Sequence, residues 1–378
     1  MSSKLKEVMD TLNKKFGVNA VSVASDMPAV RRVKSSLPMY NYVTDGGFAV
    51  NRFHEHLGPQ SSTKSWCAYD AIAQFQKYDW ANAEENAFAS VRYKNIKGSV
   101  FKEVEKTILR RGYKPKVEPK VKFCVLIDIE KTYTKEWGSH LGINNDGLIL
   151  IQPARLTEAV DIAQALLAMP EISLLVIDSL SAVGTDGEID SSMEEHRMAE
   201  NARFWNKAIR KLQSALNTNP EPDATVIVMN SSYEKVGVVM GDPEVVRNGK
   251  QLGLTKSISI KFRAQAPIMA SFEGKGKIAV GKNIIIKNLK NKVGAQFREG
   301  SYYYAIETFE GVEKGTTDIV AQLIDLGVRY EVIKRAGAFY SFDGLKGQGV
   351  DKFKAALNEA GKLKDLESAL YKAIEEDK

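Results

Sequence analysis

Short apolar runs alternate with stretches of helical periodicity along most of the chain. Residues 123–128 (FCVLID), 148–152 (LILIQ), 173–178 (SLLVID) and 224–230 (ATVIVMN) are almost continuously apolar and of strand length. Between them, residues 158–169 and 199–217 repeat their apolar positions every three or four residues. Strands apolar on both faces, alternating with helices, predict an α/β fold whose parallel sheet is covered on both sides. Ligands of such sheets bind beyond the carboxyl ends of the strands. Those ends carry Asp128 with Glu130, Asp178 with Ser179, and Asn230.

The flanking regions differ in texture. Leu5, Val8, Met9, Leu12 and Phe16 make one apolar helical stripe that stops at Gly17. The spacing leaves open whether that stripe packs on its own core or on a neighbouring subunit. After Asn230 the glycine-rich residues 237–253 lack periodicity and read as a long loop. Strand-like runs follow at 256–262, 268–272 and 282–287, and from about Lys314 the pattern turns helical and charged, broken at 337–349. The expected organisation is an N-terminal arm over 1–33, a core over 34–313 and a small separate domain over 314–378.

Composition narrows the class. With 378 residues, 44% hydrophobic and 26% charged, the chain can bury a sizeable core without covalent staples. Cys67 and Cys124 lie in apolar surroundings without metal-ligand spacing, as expected of buried thiols in a reducing cytoplasm. No stretch has the length or apolarity of a membrane span, and the N-terminus has no secretory pattern. The net charge of +6 is unevenly spread: residues 91–122 hold eleven Lys/Arg against three acids. Such a segment suits a phosphate backbone or, equally, a solvated helix face.

One motif carries phosphate chemistry. Gly58-Pro-Gln-Ser-Ser-Thr-Lys-Ser65, followed by an apolar helical stretch, is close to a P-loop. Backbone N–H groups would curl around phosphate, Lys64 would reach the terminal phosphates, and the Ser65 hydroxyl would meet Mg2+. Thr63 stands where the pattern has its second glycine, so the loop must tolerate a β-branched residue or shift. Alone, the stretch also fits a Ser/Thr-rich turn. Asp178, at the tip of a buried strand, adds a carboxylate suited to Mg2+ held through water, although it also fits a helix cap. Glu130 could orient an attacking water.

Together with further motifs, these make the sequence resemble the bacterial RecA recombinases and their phage UvsX-type relatives over nearly its whole length. The resemblance rests on GPQSS (58–62), VIDS (176–179), GVVMGDPE (237–244), NLKNKVGAQFR (288–298), LIDLGV (323–328), AGAFYS (336–341) and GQG (347–349). It implies a P-loop ATPase core with a mostly parallel central sheet, an N-terminal polymerisation helix and a small α+β C-terminal domain. It implies that Gly58, Pro59, Gln60, Ser61, Ser62, Thr63, Lys64, Ser65 and Trp66 bind ATP, that Ser65 and Asp178 hold its Mg2+, and that Glu130 is the general base. Thr134 and Trp137 fall at the adenine, and Lys290 and Lys292 fall where relatives reach the γ-phosphate of a neighbour's ATP, making hydrolysis depend on polymerisation.

The resemblance further implies partners: single-stranded DNA, homologous duplex DNA and copies of the same chain in a helical filament. One DNA loop would span about 187–199, with Met198 at its end and Arg203 and Arg210 on the helix after it. The other would span about 232–249, with Lys235, Val236, Arg247, Asn248 and Gly249. Lys/Arg on phosphates and apolar wedges between bases suit sequence-independent binding. A filament protein using ATP only as a structural ligand and a ring-forming motor are the other readings of this core. Two departures stand out. Ser231 replaces a longer γ-phosphate sensor, which with Thr63 predicts slow hydrolysis. Lys64 and Glu130 are 66 positions apart, which leaves residues 79–122 as a basic insertion expected to contact DNA or a neighbouring protomer.

Overall fold

The computed structural model describes residues 2–16, 21–26, 29–81, 120–180, 198–219, 221, 223–234, 244–246, 250–272 and 276–377. Residues Met1–Arg31 form one compact unit and Arg32–Lys378 another. In the first, α1 (Ser3–Phe16) carries the apolar stripe, and Leu5 and Val8 of that stripe are exposed. The Asn13 side chain closes this unit by exchanging hydrogen bonds of 2.9 and 2.8 Å with the backbone of Val21.

The second unit opens with β1 (Arg32–Val33), α2 (Pro38–Thr44) and β2 (Phe48–Ala49), where β1 pairs antiparallel with β2. The core strands follow: β3 (Phe53–Leu57), β4 (Phe123–Asp128), β5 (Leu148–Ile151), β6 (Ile172–Asp178) and β7 (Thr225–Asn230). A small antiparallel pair, β8 (Ser232–Glu234) with β9 (Glu244–Val246), precedes β10 (Ile258–Ala264), β11 (Ile268–Phe272), the long β12 (Gly276–Asn291) and β13 (Glu299–Ala305). The nine-stranded sheet runs β11-β12-β10-β3-β7-β6-β4-β5, with β13 on β12. From β10 to β5 every pairing is parallel, and the β11, β12 and β13 pairings are antiparallel.

Burial explains the apolar runs. Cys124 and Leu126, Leu174 and Val176, and Ile227 and Met229 face one core cluster, whereas Val125 and Ile127, Leu175 and Ile177, and Val226 and Val228 face another. A side-chain period of two with both faces covered removes the polar half of the usual alternation. The first face is covered by α3 (Lys64–Lys77), which contributes Trp66, Cys67, Ile72 and Phe75. The second is covered by α5 (Leu156–Leu167) and α6 (Met198–Thr218), through residues such as Val160, Trp205, Ile209 and Leu212. The short α4 (Lys135–His140) lies between β4 and β5, and α7 (Lys250–Thr255) precedes β10. Thus the stretch read as a loop to residue 253 ends in a helix.

The C-terminal part consists of α8 (Ile319–Arg329), a three-stranded sheet of β14 (Lys334–Ala336), β15 (Phe339–Phe342) and β16 (Leu345–Gln348), then α9 (Gly349–Glu359) and α10 (Leu363–Glu376). Asp318 caps α8 by accepting from the Ala321 N–H and pairs with Lys354 at 2.6 Å. Leu323, Phe353 and Leu366 extend the first core cluster. The residues flanking 82–119 meet: the Trp80 N–H donates to the Lys120 carbonyl at 2.8 Å. Most of the expected basic insertion, residues 82–119, lies outside the described residues. Among the described residues no helix is long and apolar enough to cross a membrane.

Candidate nucleotide site and DNA-facing surface

Parallel register aligns the carboxyl ends of four strands, and backbone bonds continue beyond them. The Gly58 N–H donates to Asn230 O at 3.3 Å, Leu180 N–H to Met229 O at 3.0 Å, and Ile129 N–H to Asp178 O at 2.9 Å. Gly58, Ser231, Ser179 and Glu130 are thereby brought to one edge, although they are scattered over the sequence.

The loop from Gly58 to Thr63 is tightly wound. A Cβ on Gly58 would stand 2.2 Å from the Phe262 carbonyl oxygen, so only glycine fits between β3 and β10. Ser61 and Thr63 adopt left-handed conformations, with φ of 59° and 66°. Thr63, where the P-loop pattern has its second glycine, thus adopts the left-handed conformation that glycine favours. Lys64 begins α3, and its ammonium lies across the loop, donating to the carbonyls of Gly58 at 2.7 Å and Pro59 at 2.6 Å. Burial lowers Lys64 to about 8, against the opposing pull of Asp178 and Glu130. Pro59, Gln60 and Ser61 are exposed. The Trp66 side chain is turned into the core and donates to Gly315 O at 2.7 Å.

Asp178 is 6% exposed and lies beside the Ser65 hydroxyl. Burial raises its pKa to about 6; the nearby Ser65 hydroxyl and Lys64 oppose that rise, while Glu130 and Asp128 add to it. A hydroxyl beside a crowded carboxylate is a hard-oxygen pair of the type that Mg2+ takes, together with water and phosphate oxygens. Among the described residues no cluster of three or more His, Cys, Asp or Glu could hold a metal alone. Glu130 is exposed and accepts from Ser179 Oγ at 3.2 Å. Asp128, its neighbour at the same strand end, is occupied structurally: it accepts from the N–H groups of Thr132 and Tyr133 and from Gln152.

The remaining predicted residues divide by location. Thr134 caps α4, its hydroxyl accepting from the Trp137 N–H at 3.3 Å. Trp137 is half-buried and stacks on His140, with ring centroids 5.2 Å apart. Ser231 is half-buried at the end of β7, beside Asn230, whose amide donates to the buried Glu55 at 3.0 Å. Glu55 is in turn held by Lys256 and Ser259. Lys290 and Lys292 donate to the carbonyls of Gly253 (2.7 Å) and Leu254 (2.9 Å) at the end of α7.

On α6, Arg203 and Arg210 are exposed and two turns apart, lining one groove with Asn206, Gln251 and Leu254. Met198 is the first residue of α6. Lys235, Val236, Arg247, Asn248 and Gly249 lie outside the described residues. Two contacts to the phosphate loop were not foreseen from sequence: Tyr302 meets Thr63 and Lys282 meets Ser61. Their partners lie 239 and 221 positions away, beyond the reach of any spacing rule.

Residues 102–311, more than half of the chain, match the RecA N-terminal domain family, and residues 321–376 match the RecA C-terminal domain family. Protein RecA of Staphylococcus carnosus is 29% identical over 378 residues, covering 98% of this chain and 90% of that protein. Protein RecA of Bacteroides thetaiotaomicron is 28% identical over 382 residues, covering 99% and 98%. Among solved structures, the RadB recombinase aligns with a TM-score of 0.43 at 14% identity, covering 75% of this chain and 99% of that one.

Proposed function

The chain belongs to the RecA family, and from that premise we propose that it is an ATP-dependent recombinase. It forms helical filaments on single-stranded DNA, pairs that strand with homologous duplex and hydrolyses ATP slowly. The observation that carries this reading is the course of β12. Lys282, in the middle of the strand, touches the phosphate loop, whereas Lys290 lies eight residues further along the same strand. The ammonium groups of Lys290 and Lys292 are turned instead to the Gly253 and Leu254 carbonyls at the end of α7. They are therefore assigned to a neighbour's nucleotide, and the site is complete only between subunits.

Within one subunit, the loop N–H groups and the α3 N-terminus attract phosphate oxygens. Lys64 exchanges its carbonyl partners for the terminal phosphates. Ser65 and Asp178 would hold Mg2+, which would supply positive charge against the phosphates. Glu130, tethered by Ser179, is placed to orient and deprotonate water, and Thr134 and Trp137 border the base. Ser231 is short for a residue that must report on the γ-phosphate, which favours slow turnover. Arg203 and Arg210 supply backbone-directed charge for DNA, with Met198, Lys235, Val236, Arg247, Asn248 and Gly249 on the flanking loops. The arm (1–33), core (34–313) and C-terminal domain (314–378) divide the chain, and the cytoplasm is its place of work.

Mixing two damaged proteins tests this. Glu130→Gln should lack turnover through its own site, and Lys290→Ala/Lys292→Ala should lack it through the neighbour's. Mixed on single-stranded DNA, they should regain part of the wild-type ATPase, because some interfaces pair an intact Glu130 with intact lysines. No recovery at any ratio, or turnover by monomers, would exclude the shared site. A homology-dependent joint-molecule assay, with Lys64→Ala as the inactive control, separates a recombinase from a passive filament.

A further inference from the structure

The phosphate loop is gripped from outside by the β12–β13 hairpin. Lys282 pairs with Tyr304 and Ile284 with Tyr302 in the antiparallel register, so Lys282, Tyr302 and Tyr304 project from one face. That face meets the loop at three points. Tyr302 Oη lies 2.8 Å from Thr63 Oγ1, Lys282 donates to the Ser61 carbonyl, and the Tyr304 ring packs edge-on against Trp66 at 6.2 Å. The Lys282 ammonium is 5.9 Å from the Tyr304 ring centroid.

Direction follows from proton counting. The Thr63 hydroxyl has one hydrogen, which it donates to the Ser62 carbonyl at 2.6 Å. It must therefore accept from Tyr302. Tyr302 is 3% exposed, and burial lifts its pKa well above the ordinary value, with the Thr63 bond opposing the rise. It stays a neutral donor. The relay continues inward, since Ser62 Oγ donates to the Pro59 carbonyl at 2.7 Å. A β-branched residue at positive φ is strained, and a loop whose N–H groups face a phosphate turns carbonyls outward that need donors. Tyr302 meets the first need and Lys282 the second.

We propose that Tyr302 and Lys282 are positioning residues of the nucleotide site, holding the loop in its phosphate-accepting curl and allowing threonine at position 63. This rests on the reading of the loop as the ATP site. The test is a double-mutant cycle of Tyr302→Phe and Thr63→Gly in the full chain, read by equilibrium binding of a fluorescent ATP analogue and by separate KM and kcat. Losing one hydrogen bond should make Tyr302→Phe bind about three- to tenfold more weakly. KM should rise while kcat stays within about twofold, because preorganisation of the loop acts on binding. In the Thr63→Gly background the same substitution should change affinity less than about twofold, since no hydroxyl remains to be met. Lys282→Met should also weaken binding, Lys282→Arg should recover it, and the Lys282→Met loss should persist beside Thr63→Gly because Ser61 is its partner. Equal Tyr302→Phe losses in both backgrounds, no loss in either, or Lys282→Arg as poor as Lys282→Met would overturn the proposal while leaving the ATP site intact. Absence of nucleotide binding by the wild-type chain would overturn both.

Discussion

Lowering the pH from 7 to 5 should destabilise this protein through the strand that carries the phosphate loop. His54 and His56 lie on one face of β3, fully buried beside Tyr40, Phe48 and Phe262. His54 Nε2 meets the Ala49 carbonyl at 2.9 Å and His56 Nε2 the Tyr40 hydroxyl at 3.0 Å, while Nδ1 of His54 is buried without a partner. Burial lowers His54 to about 4 and His56 to about 3. Arg32 and Arg52 near the first imidazole, and His54 and Lys64 near the second, add repulsion. Between those values and the unfolded value of about 6.5 the unfolded chain binds more protons, so stability is lost as pH falls. At pH 5 each imidazole costs about 2 kcal/mol by this linkage. Asp178, raised to about 6, works in the opposite direction, because its folded form takes up the proton first. It returns about 1 kcal/mol over the same interval, leaving a net loss of roughly 2–3 kcal/mol from these three groups. Urea unfolding followed by tryptophan fluorescence at both pH values measures the loss. His54→Asn/His56→Asn should unfold with a much flatter, or reversed, pH dependence. A wild-type loss below about 1 kcal/mol, or the same slope in the variant, would refute the assignment of acid sensitivity to this pair.

Other substitutions test separate parts of the argument. Gly58→Ala should abolish ATP binding measured by equilibrium titration, because the Phe262 carbonyl blocks the added carbon and the loop must leave β10. Lys256→Met should lower unfolding free energy by about 3 kcal/mol, since Glu55, 1% exposed, would lose its cation. Denaturant titration would show this, and a loss below about 1 kcal/mol would deny that pair a structural role. Arg203→Ala and Arg210→Ala should each weaken single-stranded DNA binding alike on all sequences and reduce the salt slope by about 0.7. Replacing residues 82–119 needs only a short flexible linker, because Trp80 and Lys120 already meet. The same replacement should reduce DNA affinity or filament formation, as the basic composition of 91–122 suggests.

Much of the fold was legible in the chain itself. Strands buried on both faces must be apolar throughout, so β4, β6 and β7 announce themselves by composition over a few residues, whereas β5 is as apolar at the sheet edge with Leu150 exposed. The phosphate loop is equally local, because consecutive amides and the next helix turn make the cradle. Tertiary structure decided which strand-end acids are available. Asp128 and Glu130 look alike as text, yet Asp128 is consumed by Thr132, Tyr133 and Gln152, while Glu130 is exposed beside Ser179. The tolerance of Thr63 was likewise hidden, since its partner Tyr302 comes from a hairpin 239 positions away. So was the separation of Lys290 and Lys292 from the loop touched by Lys282, which depends on the path of β12. Local periodicity encodes what a segment buries. Strand order and register encode what it meets, and those follow from packing the whole chain at once.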